Sequence, residues 1–410
     1  MKRVAIVGSG VIGLSCAHFL CKRDVEVTVL DAAAPGAGAS EGNAGWVTPS
    51  LAGPVASPGV VGESLRWMLK SDSPLYIKPT LDIRRIRWLI RLLRNCNEPA
   101  YRAGLLATAR LGERTFELFD ELEEDGVDFE HHRSGMLFAF LDADRRAHVL
   151  EDLEMVRSFG YSPETLGGSD LRHVEPSLTS DIKSGILLEQ ERQVRPETLV
   201  TGLTKWLLGT DTDIRVASPV TGVVRSGGRV AGVVTPDGEI EADEFIVAAG
   251  AHSGGVARLF GVTVPMEAGK GYSLHFEPPP VDVRHALYLY EARVGVTAFD
   301  RALRLAGTME FSGLNSHLAP KRLGALNAAA ERYLRDWPEG TEGRPWTGMR
   351  PMTPDGLPVI GRGAENVTIA SGHAMLGVTL APVTGHLVAE LITTGKTPPV
   401  LEPFTPTRFS

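Results

Sequence analysis

Cysteine is scarce in this chain: Cys16, Cys21 and Cys96 are the only three in 410 residues. An odd set of three makes no disulfide framework, so a reducing compartment such as the cytoplasm is expected. Surplus positive charge is missing too. A formal net charge of −8 opposes a nucleic-acid partner, which is held by neutralising its phosphates with Lys and Arg. No apolar run approaches the roughly 20 residues that a membrane-spanning helix needs. Met1-Lys2-Arg3 ahead of an apolar stretch to Leu20 imitates a secretory leader. Gly8, Gly10, Gly13 and His18 interrupt that stretch, however, and no small-x-small cleavage site follows it. The eleven histidines show no ligand spacing beyond the His131-His132 pair, so no metal centre is expected. Glycine, at 45 residues, is abundant in a chain that is 43% hydrophobic. That composition suits a large core with many tight turns, and the length suits two lobes.

Val4-Ala5-Ile6-Val7 reads as a buried parallel strand. Gly8-Ser9-Gly10-Val11-Ile12-Gly13 follows at once, then a helix over 14–23 and a strand over 25–30 that ends at Asp31. Gly8 makes the tight turn, Gly10 admits a pyrophosphate to the backbone, and Gly13 lets helix and strand pack closely. The helix start, with Val11 and Ile12, then turns free N–H groups and a positive dipole end toward the phosphates. Asp31, with Ala32 beside it, stands where a carboxylate accepts hydrogen bonds from ribose hydroxyls. Strand, loop, helix, strand and acid in this order specify a dinucleotide site. They do not choose between NAD and FAD.

Beyond Asp31, the run Pro35-Gly36-Ala37-Gly38-Ala39-Ser40-Glu41-Gly42-Asn43-Ala44-Gly45 is too rich in small residues for a stable helix. Its amides stay open to a flat ligand. Here the sequence resembles the D-amino-acid oxidase superfamily of FAD-dependent oxidoreductases, most closely the bacterial D-amino-acid dehydrogenases (small subunit) and glycine oxidases. The resemblance implies that Ser40, Asn43, Ala44 and Gly45 lie along a flavin. Trp46 stands where those dehydrogenases usually carry Gln, close to the expected substrate. Residues 245–253, with Ala249 and Gly250, are similar to the family's second dinucleotide-contacting segment, and Val220 is implied at the adenine. Two C-terminal stretches resemble it most strongly: Gly348-Met349-Arg350-Pro351-Met352-Thr353-Pro354-Asp355-Gly356-Leu357-Pro358-Val359-Ile360-Gly361, and Gly372-His373-Ala374-Met375-Leu376-Gly377-Val378-Thr379. They imply that Gly348 and Met375, Leu376, Gly377, Val378 and Thr379 border the flavin. A helix over 381–393 would then aim its N-terminus at the flavin edge that gains negative charge on reduction. Relatives that attach flavin covalently use a cysteine near the C-terminus. None follows Cys96, so non-covalent FAD is expected.

The implied fold class is α/β: a Rossmann-like FAD-binding domain with an interleaved α+β substrate domain carrying a large antiparallel sheet. FAD segments are expected at about 1–80, 180–262 and 350–395, substrate segments at 81–179 and 263–349, and a C-terminal tail at 396–410. Periodicity predicts helices over 105–124 and 142–159 around a strand at 136–141, and strand-like stretches over 269–276 and 286–309. A hairpin over 229–240 is expected to turn at Pro236-Asp237-Gly238. Residues 82–94 place Arg84, Arg87, Arg91 and Arg94 on one helical face and Ile83, Ile86, Ile90 and Leu93 on another. Such a helix either lies on an anionic membrane, giving the protein a peripheral seat at the inner face of the cell membrane, or packs in a core with its arginines solvated. Trp88 and Leu89 widen the apolar side, which favours the core-packed reading.

Oxidation of an amino acid at Cα requires its carboxylate to be held rigidly, and the planar guanidinium fork of Arg does this bidentately. The resemblance places Arg350 in that role. Tyr272, Tyr288 and Tyr290 are candidates to share the carboxylate or cap the site, and His373 to tune flavin charge or cap a turn. Hydride transfer needs orientation more than acid–base groups, so no catalytic triad is expected. The leading expectation is FAD-dependent oxidative deamination of D-amino acids, giving an imino acid and then a 2-oxo acid, with quinone or oxygen as electron acceptor. The alternatives are a hydroxy-D-proline or D-proline dehydrogenase, a glycine/sarcosine-type oxidase and, more remotely, a non-catalytic flavin-binding protein. The C-terminal stretches disfavour an NAD-dependent dehydrogenase.

Overall fold

The computed structural model describes residues 1–58 and 75–409. Residues 59–74, which fall inside the first expected FAD segment, lie outside the described residues. The opening strand Arg3–Val7 is central to a six-stranded sheet. Its order is Asp213–Arg215, Glu26–Leu30, Arg3–Val7, Glu244–Val247, Val367–Ser371, Val359–Ala364. The first five strands run parallel and the last antiparallel. Apolar residues on both faces of Arg3–Val7 require cover on both sides. Val4 and Ile6 pack against the helices Val11–Cys21, Pro196–Leu208 and Ala381–Thr394. Ala5 and Val7 face the antiparallel meander Gly222–Ser226, Arg229–Thr235, Gly238–Glu241 and the helix Ser253–Leu259. The first and last helices touch at Gly385, where a Cβ would strike the Ser15 carbonyl.

The second lobe is built on a nine-stranded sheet. Eight strands follow the order Arg344–Met352, Glu267–Phe276, Ala302–Phe311, Val294–Phe299, Ala286–Leu289, Met136–Phe140, Ser184–Leu188, Glu164–Gly167, and Leu75–Ile77 also pairs with Ala302–Phe311. Pairing is antiparallel except for Ala286–Leu289 with Met136–Phe140 and Ala302–Phe311 with Leu75–Ile77. The helix Pro320–Tyr333 covers one face through Leu326, Ala329 and Ala330. Leu75–Ile77 and Ser184–Leu188 therefore sit in the large sheet, although the sequence boundaries at 80 and 180 placed them on the FAD side.

Other boundaries sharpen in the same way. The helical stretch 105–124 is two helices, Glu98–Leu111 and Thr115–Glu124, separated by the turn at Gly112. The stretch 142–159 is the helix Arg146–Met155 with a 3-10 turn at each end, and 286–309 divides among three strands. The tail folds back rather than trailing: Leu401 and Phe404 are fully buried, and the Arg408 guanidinium donates to Asp355 at 2.7 Å.

The helix Ile83–Asn95, capped by the Asp82 carboxylate accepting from the Arg84 amide at 2.9 Å, is core-packed with its arginines solvated, but through a narrower arc than the sequence implied. Only Trp88 and Leu92 are buried, in a small cluster with Met309, Phe311 and Met352. Ile83, Ile86, Ile90 and Leu93 are exposed, because the arc that meets the protein runs through Trp88 and Leu92. No helix among the described residues is long and apolar enough to cross a membrane.

Candidate active site

At the C-terminal ends of the parallel strands, where a doubly wound sheet binds its ligand, a cavity of about 1850 Å³ opens and continues under the large sheet. Drug-sized pockets span roughly 300–1,000 Å³, so this volume accommodates a dinucleotide and a small substrate together. Gly8, Gly10, Val11, Ile12, Asp31, Ala32 and Val220 line one end. Gly8 adopts φ +116°, and a Cβ there would overlap the Ala248 carbonyl. Only glycine serves at that turn. Gly13 does not line the cavity; a Cβ on it would collide with the Gly8 carbonyl, so it sets the helix against the turn. The Asp31 carboxylate accepts from the Ser9 amide at 2.6 Å, the Ser9 hydroxyl at 2.7 Å and the Ala33 amide at 2.9 Å. It ties the glycine turn to the second strand and keeps its rim position.

Ser40, Asn43, Ala44 and Gly45 form the middle wall, facing Ala249 and Gly250. The Ser40 hydroxyl accepts from the Val11 amide at 3.0 Å. Asn43 shapes its own loop, donating to the Ser40 carbonyl at 2.8 Å and accepting from the Gly45 amide at 2.7 Å. The outward carbonyls of this loop are held by the other lobe. Ser273 donates to Gly42 at 2.8 Å, Arg304 to Asn43 at 2.7 Å and Thr297 to Ala44 at 2.7 Å. Arg304 is itself buried and paired with Glu197. Sequence reasoning missed all three partners, yet a lone arginine in the apolar strand Ala302–Phe311 was a usable signal.

Met375, Leu376, Gly377 and Val378 border the cavity in the turn before the last helix. Among the described residues the amides of Gly377, Val378 and Thr379 meet no acceptor, so donors stand free in the turn that leads into the helix. The Thr379 side chain turns away from the cavity: its hydroxyl donates to the Trp46 carbonyl at 2.9 Å and accepts from the Thr48 amide at 3.1 Å. His373 is buried, with Nε2 bonded to the Thr384 hydroxyl at 2.9 Å and Nδ1 without a partner among the described residues. Burial pushes its pKa down to about 3, so the imidazole is neutral at pH 7. Glycines at closely approached walls, free amides and a neutral imidazole suit a flat, anionic dinucleotide such as FAD.

Arg350 lies deeper, beside Gly348, where the strand Arg344–Met352 pairs with Glu267–Phe276. Its Nη1 donates to the Thr308 carbonyl at 2.9 Å, and no carboxylate pairs with it among the described residues. A Cβ on Gly271 would overlap the guanidinium. Thr308 holds φ +66°, rare for a β-branched residue, at a register shift between its strand and Glu267–Phe276. The shift presents its carbonyl to Arg350. Burial lowers the Arg350 pKa to about 10, which leaves a full cation at neutral pH.

All three tyrosines border the cavity. Tyr272 is buried there, and its hydroxyl donates to Glu310 at 2.8 Å in a network with Lys270 and Arg322. Tyr288 and Tyr290 line the cavity, and Trp46 stands edge-on to Tyr288 at 5.7 Å. The Trp46 indole donates to Thr297 at 2.9 Å and covers Gly295. Trp346, also missed, wedges between Gly42 and Gly348, either of which would clash with its ring if it carried a Cβ. Tyr101 and Asp152, bonded at 2.7 Å, complete the far wall. His131 and His132 each stand among carboxylates, but Arg133, Arg192 and Arg195 pair with the same acids.

Comparison with known proteins carries the geometry to an assignment. A family model described as FAD dependent oxidoreductase (DAO) matches residues 3–391. The D-amino acid dehydrogenase of Rhizorhabdus wittichii is 32% identical over 408 residues, covering 97% of each chain. That of Methylobacterium nodulans is 32% identical over 412 residues, covering 97% of this chain and 96% of its own. Glycine oxidase from Geobacillus kaustophilus shares the fold with a TM-score of 0.79 at 21% identity, over 100% of this chain and 99% of its own. L-proline dehydrogenase from P. horikoshii does so with a TM-score of 0.74 at 21% identity, over 100% and 97%. The dinucleotide turn, the cavity at the strand ends and a match that spans nearly the whole chain place this protein in the DAO family of FAD-dependent oxidoreductases.

Proposed function

We propose that this flavoenzyme oxidises D-amino acids at Cα, giving an imino acid that water converts to a 2-oxo acid. One observation carries the reading: Arg350 is a cation at the floor of the cavity, bonded to a backbone carbonyl and paired with no carboxylate among the described residues. A half-buried charge facing a cavity without a counterion is costly, and a substrate carboxylate removes that cost. Held bidentately by the fork, the substrate keeps one orientation. Bound FAD would supply a two-electron acceptor for the Cα hydrogen, with a quinone or oxygen as the final oxidant. Gly8, Gly10 and Val11 would hold the pyrophosphate, Asp31 the ribose, and Gly377 and Val378 amides the flavin edge. Neutral His373 adds no charge beside it. Trp46, Tyr288 and Tyr290 form an aromatic wall that limits side-chain size.

That wall favours a second reading within the same chemistry, a compact cyclic imino acid such as D-proline or hydroxy-D-proline. Anaerobic mixing of the purified yellow protein with D-amino acids, D-proline, D-hydroxyproline, glycine and sarcosine tests both. Bleaching of the flavin absorbance by D-amino acids is expected. Bleaching by glycine or sarcosine alone contradicts the proposal. Reoxidation by air or by a soluble quinone then identifies the acceptor.

A further inference from the structure

The helix Ile83–Asn95 presents an outer surface that the chemistry of the cavity does not use. At about 100° per residue, it carries three stripes. Trp88 and Leu92 face the protein and are buried. Leu93, Ile86, Ile90 and Ile83 follow, exposed by 53%, 37%, 43% and 63%. Arg94, Arg87, Arg91 and Arg84 complete the turn, exposed and without a carboxylate partner among the described residues. On a chain of net charge −8, four adjacent arginines with no carboxylate partner among the described residues are a local reversal of sign. Aliphatic side chains left in water beside them need a cover that is apolar and anionic at once.

We propose that this helix docks on the surface of an anionic lipid bilayer, with its aliphatic stripe in the headgroup–acyl boundary and its arginines on the lipid phosphates. The surroundings extend the surface. Leu81 is 96% exposed just ahead of the helix. Exposed Leu314 follows Gly313, whose Cα faces the Arg85 guanidinium, and exposed Met375 follows Ala374, packed in the cluster under Trp88. Leu314 and Met375 also line the cavity, so docking brings its rim to the bilayer, where a lipid-soluble acceptor is found. The proposal goes beyond the reading of the substrate and stands or falls separately from it.

Flotation of the full-length, FAD-loaded protein with vesicles tests it. The wild type is expected to float with mixed phosphatidylglycerol–phosphatidylcholine vesicles, to stay down with pure phosphatidylcholine, and to be released by salt. Ile86→Glu/Ile90→Glu and Arg87→Glu/Arg91→Glu should keep the flavin spectrum and activity with a soluble dye. The arginine pair should weaken vesicle binding by at least about thirtyfold. A wild type that never floats, or variants that float as it does, overturn the proposal. So does a change from oligomer to monomer in the variants, which would make the stripe a contact between copies. Failure to oxidise any D-amino acid would count against the functional reading alone.

Discussion

Arg350 and Gly271 illustrate how one residue's chemistry depends on another's lack of a side chain. The guanidinium occupies the space a Cβ on Gly271 would fill, and its reach is fixed by the Thr308 carbonyl. Arg350→Ala should lower kcat/KM by about 100-fold or more, because two charge-assisted hydrogen bonds are lost, while the flavin spectrum persists. Arg350→Lys should recover little, since an ammonium lacks the fork. Unchanged steady-state kinetics in the alanine variant would remove Arg350 from the site. Gly271→Ala should raise KM by displacing the same group, with flavin content as the control.

At the scale of elements, the loop 42–45 is held from the far lobe as firmly as from its own. Arg304→Ala leaves Glu197 without its partner and frees the Asn43 carbonyl. A stability loss of about 3 kcal/mol is expected, read by denaturant unfolding, together with weaker FAD retention. Wild-type stability in that variant would make the lobe-to-loop contact unimportant. The glycine turn, Asp31 and the small-residue run were legible because backbone geometry dictates their residue types. Ser273, Thr297 and Trp346 were not, since hydroxyl-to-carbonyl contacts and ring-on-glycine packing leave no spacing in a sequence. The helix Ile83–Asn95 was legible as amphipathic. Which arc the core takes depends on the small cluster around Phe311 and Met309, more than 200 positions away in the sequence.

Several histidines and one carboxyl are buried without an ion partner that would keep them charged, and this sets the pH response of the whole molecule. His373 titrates near 6.5 when exposed and at about 3 when folded. Protons therefore favour the unfolded chain as pH falls from 6.5 toward 3. Burial also lowers His18, His131, His275 and His386, so stability should decline steadily on that side. Glu191 acts oppositely: buried, with one oxygen accepting from the Ser50 amide at 3.3 Å and the other without a donor among the described residues, it rises from 4.5 to about 8. Its contribution is present below pH 4.5 and lost as pH rises to 8. Glu191→Gln should flatten that alkaline slope and stabilise the protein at pH 8 by about 1–3 kcal/mol. An unaltered slope in chemical denaturation would contradict it. The two-lobe plan was readable from the motifs at both ends of the chain, but not the membership of Leu75–Ile77, whose pairing partner Ala302–Phe311 is remote in sequence, nor that of Ser184–Leu188, which pairs back onto Glu164–Gly167 and Met136–Phe140. The central claim rests on what the cavity binds, and anaerobic titration of the yellow protein with D-amino acids reads it directly. Stoichiometric bleaching with release of the matching 2-oxo acid is the predicted result; a flavin that stays oxidised with every D-amino and D-imino acid would contradict the account.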